Sequence, residues 1–457
     1  RRLGRVLSTV EYRAAIEQRS AHNNMPPHQD LYVRYHLLAH NVHAAAQSLA
    51  SADISMVLAA ASALMNHFST MVGHRGVVPN TIVRAITPLV QMVAAYIHAG
   101  MVSAEQKDAL ISATGALMNG ALLGDDVRQE FLRLDGLALM VAVLDEDLGR
   151  GTKLSKYAAG ALWNLTMRDS TCRITVVRHI PSIVDHLRAY CTDPPGTPHM
   201  DAAIVACAGT LASSCTEKYH ANQKALFEAG GIEVLALLVR QLLDNDSRVP
   251  VLVGCCTVLR NAIIGQPDAQ RVLRESGGVS MLFDMVDPLH AFFHRHEKVS
   301  KSAINILLNM SAEDRCTCEE IDLETVLGML EKHATVPHVA LGCAAIFQNA
   351  TVHSPRVEEC VCFGIVRCAV LYTTLAADNV EVQTCLLRMI TALFNLTLNR
   401  RNRAPLVAAG ATEALQQVKI RRTSNSRYFA TKALEVLEKH TASKGQQEVQ
   451  VDQREPN

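Results

Sequence analysis

The sequence predicts an all-α solenoid of about eight to nine three-helix repeats. Three observations predict it. A phrase of small and apolar residues, then Leu, one further residue and Asn recurs along the chain. A glycine inside an apolar segment follows it at a steady offset. The composition is 49% apolar, 19% charged and only 4% aromatic. That much apolar surface supplies a core and excludes wholesale disorder, and helices packed through Ala, Leu, Val and Met need few aromatics.

The recurring phrase fixes the period. Its copies are Ala63-Leu64-Met65-Asn66, Ala116-Leu117-Met118-Asn119, Ala161-Leu162-Trp163-Asn164 and Val258-Leu259-Arg260-Asn261. Leu307-Leu308-Asn309, Ala345-Ile346-Phe347-Gln348-Asn349 and Ala392-Leu393-Phe394-Asn395 follow, and the degenerate Thr210-Leu211-Ala212-Ser213 fills the one gap. Neighbouring copies lie 53, 45, 49, 48, 48, 40 and 46 residues apart. Helical repeats of this kind run about 40–47 residues, so the intervals fit with small loop insertions.

The glycines mark the corners. They stand in Leu134-Asp135-Gly136-Leu137, Ala229-Gly230-Gly231-Ile232, Ser276-Gly277-Gly278-Val279 and Ala409-Gly410-Ala411. Glycine ends a helix where φ is positive. Leucines at helical spacing follow, as in Val234-Leu235 and Leu237-Leu238. Each repeat is therefore expected to hold a short helix, a glycine corner, a second helix and a longer third helix bearing the Asn.

These phrases resemble the armadillo repeat. "LFEAGGIEVLALL" and "AAGALWNLT" are similar to that family's wording, and the resemblance covers roughly residues 51–440. HEAT repeats lack the Asn register. The resemblance implies a right-handed superhelix, a concave groove lined by the third helices, and a groove role for the repeated Asn. Residues 1–50, two helical patterns around Asn23-Asn24-Met25-Pro26-Pro27, are expected to form an N-terminal extension or cap. Residues 51–440 form the array. Residues 441–457, rich in Gln, Glu, Ser and Lys, are expected to be a disordered tail. In Ala433-Leu434-Glu435-Val436 the ladder position holds Val436, as suits a capping unit.

In a stack of such units one repeated position becomes a row. The candidate groove residues are Asn119, Asn164, Asn261, Asn309, Asn349 and Asn395, with Asn66 and Ser213 in the same register. A carboxamide donates and accepts at once, which suits it to an extended peptide backbone. It equally suits a bond across to the neighbouring helix. Each net bond contributes about 0.5–1.5 kcal/mol, against about −8.2 kcal/mol for a micromolar complex. Partner side chains must therefore fill pockets between repeats. Importin-α receptors place Trp four residues before the ladder Asn. Here Ser62, Gly115, Gly160, Thr257, Asn305, Ala345 and Thr391 stand there, which argues against binding a lysine-rich nuclear-import signal.

A second candidate surface is basic. Arg388, Arg400, Arg401, Arg403, Lys419, Arg421, Arg422, Arg427 and Lys432 fall in a stretch whose only acid is Glu413. It could meet an acidic protein surface, or be a solvated face balanced elsewhere. The whole chain carries 44 basic and 44 acidic residues, which argues against general nucleic-acid binding.

Other signals are weaker. Four ladder residues sit in N-x-S/T sequons, at Asn164, Asn309, Asn349 and Asn395, and are expected to be by-products of the repeat. His36, His40 and His43 share a helical face, and His290, His294 and His296 cluster. Cys316-Thr317-Cys318 and Cys360-Val361-Cys362 lie one repeat apart. Each could offer metal ligands, but a polar face or buried thiols explain them as well, so no metal and no cofactor is expected. The 13 Cys lack framework spacing and read as reduced, buried thiols. No P-loop, GxSxG or HExxH motif is present, so no enzyme is expected. The N-terminal Arg1-Arg2-Leu3-Gly4-Arg5 runs into no apolar stretch, and Cys360–Ala376 is too polar to span a membrane.

The sequence thus predicts a non-catalytic scaffold or adaptor in the cytoplasm that binds other proteins through its groove. The alternative is a component of a cytoskeletal or axonemal assembly, docking through its outer faces and basic C-terminal repeats.

Overall fold

The computed structural model describes residues 42–51, 53–72, 80–100, 103–192, 197–243, 248–286, 297–313, 315–334, 336–353, 358–375, 379–421 and 424–452. Among these there are 23 α-helices from Ile54 onward, a helical stretch at 42–48 and no strand. The chain divides into two compact units, Arg1–Gln241 and Leu242–Asn457.

In the first unit, helices α1 (Ile54–Met71), α3 (Ala104–Gly120), α6 (Lys153–Arg168) and α9 (Pro198–Ser214) carry the repeated phrase. They pack on one another in chain order. Helices α2 (Asn80–Ala99), α5 (Gly136–Glu146), α8 (Ile180–Thr192) and α11 (Gly231–Leu242) are the second helices, of which α2 packs on α5 and α5 on α8. Short first helices α4 (Asp125–Arg133), α7 (Ser170–Thr175) with a 3-10 turn (Val176–His179), and α10 (His220–Glu228) link each repeat to the next.

The second unit repeats the plan. Its third helices are α12 (Val249–Ile263), α15 (Glu297–Glu313), α18 (Pro337–His353), α20 (Val380–Leu398) and α23 (Ser424–Asp452). Its second helices are α14 (Gly278–Val286), α17 (Leu323–Lys332), α19 (Glu359–Thr374) and α22 (Ala411–Arg421). First helices are α13 (Pro267–Glu275), α16 (Arg315–Glu320) and α21 (Arg400–Ala408). Before α2 and α19 the place of a first helix falls outside the described residues.

Local chemistry starts the helices where they start. Ser103 and Gln106 form a reciprocal capping box on α3. Thr152, Thr197, Asp322 and Asn379 cap α6, α9, α17 and α20 through their side chains. Stacking needs small residues on the third helices, and Ala158, Ala159, Ala161, Ala203, Ala206 and Ala208 are all buried there. Buried threonines satisfy their hydroxyls one turn back, as Thr114 does on the Leu110 carbonyl at 2.8 Å.

The glycine corner uses two positions. The first takes a positive φ: 71° at Gly230, 73° at Gly277 and 81° at Gly410. In α4–α5 that role falls to Asp135, at 51°, and not to Gly136 as the pattern suggested. The second position needs space. A Cβ on Gly231 would lie 2.3 Å from Leu226 Cδ1 and 2.8 Å from the Leu226 carbonyl, and one on Gly136 would enter the Phe131 ring. Gly136 is therefore required by close approach.

The ends carry helix as well. The last helix continues to Asp452, through part of the stretch whose composition suggested a disordered tail. Lys, Gln, Glu and Ala there are good helix formers. Residues 42–48 are helical, whereas the rest of the expected N-terminal cap, with His36 and His40, lies outside the described residues. Helices α1 and α2 have the length and hydropathy of a membrane span. Here both bury faces within the stack, α1 on α3 and α2 on α3, α4 and α5.

Candidate protein-interaction site

Each third helix presents its ladder residue half-buried, except Asn66, which is exposed. Most of these residues reach back to the preceding repeat. Asn119 Nδ2 donates to the Met65 carbonyl at 3.2 Å, and Asn164 Nδ2 to the Met118 carbonyl at 2.9 Å. Elsewhere the acceptor is a hydroxyl. Ser213 Oγ donates to Thr166 Oγ1 at 2.9 Å, Asn349 Nδ2 to Ser311 Oγ at 3.2 Å, and Asn395 Nδ2 to Thr351 Oγ1 at 3.4 Å. Asn309 makes no side-chain hydrogen bond among the described residues, and the Asn261 carbonyl oxygen accepts from the Arg260 guanidinium.

The acceptor type follows the preceding repeat. Thr166, Ser311 and Thr351 stand two residues after their own ladder Asn, so they are the third residues of sequons. Where that place holds Phe68 or Ala121, no hydroxyl exists, and the next Asn turns to a backbone carbonyl. The sequon is thus part of the inter-repeat bonding. Its recurrence was the signal that could have revealed this.

The carbonyl at that same place is also capped. The C-terminal carbonyls of a helix lack intrahelical donors. Arg128 Nη1 donates to Ala121 O at 3.1 Å, Arg173 Nε to Thr166 O at 2.6 Å and Gln270 Nε2 to Ile263 O at 3.0 Å. Asn402 and Arg403 cover Leu396 O and Thr397 O at 3.2 and 2.8 Å. Each first helix therefore fastens the end of the third helix before it.

Between ladder residues the face is filled by neighbours. The residue before Asn66, Asn119 and Asn164 is Met65, Met118 or Trp163, all half-buried. Each lies against the glycine four residues before the next ladder position: Gly115, Gly160 or Gly209. A Cβ at these glycines would be 2.7 Å from Met65 Sδ, 2.6 Å from Met118 Sδ and 2.4 Å from Trp163 Cε2. Trp163 points across to the next repeat, and the small residues at the −4 place are what admit it.

The basic residues do not behave as one group. Arg388 lies on α20 seven residues before Asn395, and its Nη1 donates to Gln348 Oε1 at 3.2 Å. Arg403 caps α20, so it is a helix fastener first and a surface cation second. Arg400 and Arg401 open α21 and are exposed, as is Arg427 on α23. Arg421 ends α22, and Arg422 lies outside the described residues.

The other candidate ligands separate. All 13 thiols are free, with only Cys316 and Cys360 exposed. Burial pushes Cys215 and Cys368 up to about 12 and Cys362 to about 11. The two CxC motifs do not converge. Cys318 donates to Ser311 O at 3.1 Å, whereas the Cys360 thiol contacts the Glu324 carboxylate. Cys360 with Glu324 and Glu358 is the one described trio whose ligand atoms approach one another, and all three are exposed. His43 bonds Gln47, and His290, His294 and His296 lie outside the described residues.

No protein-family model matches the chain, and no curated protein matches it. Solved structures do. One engineered protein is similar over 95% of this chain and 97% of its own, with 21% identity and a TM-score of 0.66. A structure from work on a phosphorylation switch in the interaction between cadherin and beta-catenin covers 95% of this chain and 92% of its own, with 12% identity and a TM-score of 0.57. At these identities the likeness shows the fold, an all-α repeat solenoid.

Proposed function

We propose that the chain is a non-catalytic, armadillo-type scaffold that holds an extended segment of a partner protein on its ladder faces. One observation carries this reading. Asn119, Asn164, Asn349 and Asn395 each commit one N–H to the preceding repeat. A carboxamide has a second N–H and a carbonyl oxygen left over, and on a half-buried face these meet a partner backbone. The inter-repeat bond fixes the rotamer, so binding does not have to order the side chain.

Asn309 gives the cleanest test, because among the described residues it has no inter-repeat bond to lose. The native chain, Asn309→Ala and a triple Asn261, Asn309 and Asn349→Ala variant are compared by affinity co-purification with mass spectrometry, after circular dichroism shows all three helical. The reading expects one defined partner set to weaken with Asn309→Ala and vanish with the triple variant. Partners retained by both variants, but lost on charge reversal at Arg400 and Arg401, would replace it with docking through the outer basic surface.

A further inference from the structure

We propose that Glu324, Glu358 and Cys360 form a site for a thiol-seeking divalent cation of the Zn²⁺ class, which clasps two consecutive second helices of the second unit. This goes beyond the ladder-face reading, because α17 and α19 carry no ladder residue. Glu324 lies in the first turn of α17, Glu358 immediately precedes α19 and Cys360 lies in the first turn of α19. One ligand atom from each residue lies within 4.8 Å of the other two. The Cys360 thiol contacts the Glu324 carboxylate and lies 3.8 Å from Glu358 Oε2. All three residues are exposed, so a hydrated ion reaches them without opening the fold.

The two helix starts do not account for these side chains. Asp322 already caps α17, accepting from the Glu324 N–H at 3.0 Å. Glu358 holds the N-cap position of α19, yet its side chain makes no capping bond. Neither Glu324 nor Glu358 pairs with a cation among the described residues, whereas further along the same two helices Arg367 pairs with Glu331. Two carboxylates brought together from different repeats without a counter-charge repel one another, and a bound cation removes that cost. The packing beneath fixes their approach. Helix α17 packs on α19, and Tyr372 Oη donates to the Leu330 carbonyl at 3.0 Å. A Cβ on Gly364 would lie 2.7 Å from Leu327 Cδ1, so the helices meet closely there. The ligands therefore stand on a fixed frame and not on a loop.

The donor set selects the ion. Two carboxylates alone would suit Mg²⁺ or Ca²⁺, hard cations that take oxygen ligands. The thiol turns the preference toward Zn²⁺, which takes thiolate sulfur at about 2.3 Å and carboxylate oxygen at about 2.0–2.2 Å. Three protein ligands leave the fourth tetrahedral place to water. The hydrogen bond to Glu324 holds the Cys360 thiol above its ordinary pKa, so the metal-free group is protonated. Binding breaks the S–H bond and forms an S–Zn bond. The proton leaves to solvent, and nothing is oxidised or reduced. The ion then joins Glu324 of one repeat to Glu358 and Cys360 of the next.

The test uses Cys316, the other exposed thiol, as an internal control. The full chain is stripped with EDTA and titrated with Ellman's reagent alone, with one equivalent of Zn²⁺, and with Mg²⁺ or Ca²⁺ in excess. Two fast thiols are expected without metal and with Mg²⁺ or Ca²⁺, and one with Zn²⁺. Cys316→Ser should then show no fast thiol in Zn²⁺. Glu324→Gln and Glu358→Gln should each restore the fast reaction of Cys360 in Zn²⁺. Co²⁺ should give a thiolate charge-transfer band that Cys360→Ser abolishes. Zn²⁺ should also raise the thermal midpoint of the native chain and leave that of Glu324→Gln unchanged, because the ion joins α17 to α19. Two fast thiols in the presence of Zn²⁺ would overturn the inference. So would protection that survives both Glu→Gln changes, since the thiol would then hold an adventitious ion only. A midpoint raised equally in Cys360→Ser would place the metal elsewhere and overturn it too.

Discussion

Adding one methyl group at Gly209 tests the stacking of the third helices. A Cβ there would lie 2.4, 2.5 and 2.6 Å from Trp163 Cε2, Cδ2 and Nε1. Three atoms of a rigid ring stand in the way, so the indole must slide or α6 and α9 must part. Overpacking of this kind costs about 2 kcal/mol. Replacing glycine by alanine inside a helix returns about 1 kcal/mol, which leaves Gly209→Ala destabilising by about 1 kcal/mol. Gly328, exposed inside α17 with nothing within 4 Å of an added Cβ, is the matched control. Gly328→Ala keeps the propensity gain alone and should stabilise by about 1 kcal/mol. Guanidinium midpoints from far-UV circular dichroism compare the two, and Trp163, the single tryptophan, reports the local site by its emission. Gly209→Ala should lower the midpoint and shift the native emission to the red. If it raises the midpoint as Gly328→Ala does, with emission unchanged, the packing argument is wrong.

Three further outcomes follow from the same geometry. Asn164→Ala loses its bond to Met118 O and should cost about 1 kcal/mol, whereas Asn309→Ala should leave the thermal midpoint near native; equal losses in a melt of both would contradict the bonding pattern. Burial, its largest cause, depresses the pKa of His67, His179 and His186 below the free value of about 6.5. The unfolded chain then binds more protons, so this stability is present above that value and lost as pH falls below it. Melting at pH 7.5 and 5.5 should show the loss, and His186→Gln should reduce it, although Nε2 contacts Asp145. Of the 13 thiols only Cys316 and Cys360 should react with Ellman's reagent in the native protein, and all 13 in guanidinium; Cys360→Ser should leave one, and a third fast thiol would contradict the burial.

What the sequence determined by itself is the repeat: its period, its Asn row, its corners and its aliphatic, thiol-containing core. These are local or periodic signals, because helix spacing, capping and burial repeat with each unit. What only the tertiary structure decided is the use of each atom. Whether Asn164 bonds a carbonyl or Asn395 a hydroxyl depends on the residue two places past the preceding ladder position, one repeat away in sequence. Arg403 looked like one cation among nine, and the adjacent helix end turns it into a cap. Gly136 looked like a corner with positive φ, but Phe131 makes it a point of close approach. In each case the partner is supplied by a neighbouring helix, and contacts between helices are set by how they pack, a relation that no single phrase of the chain contains.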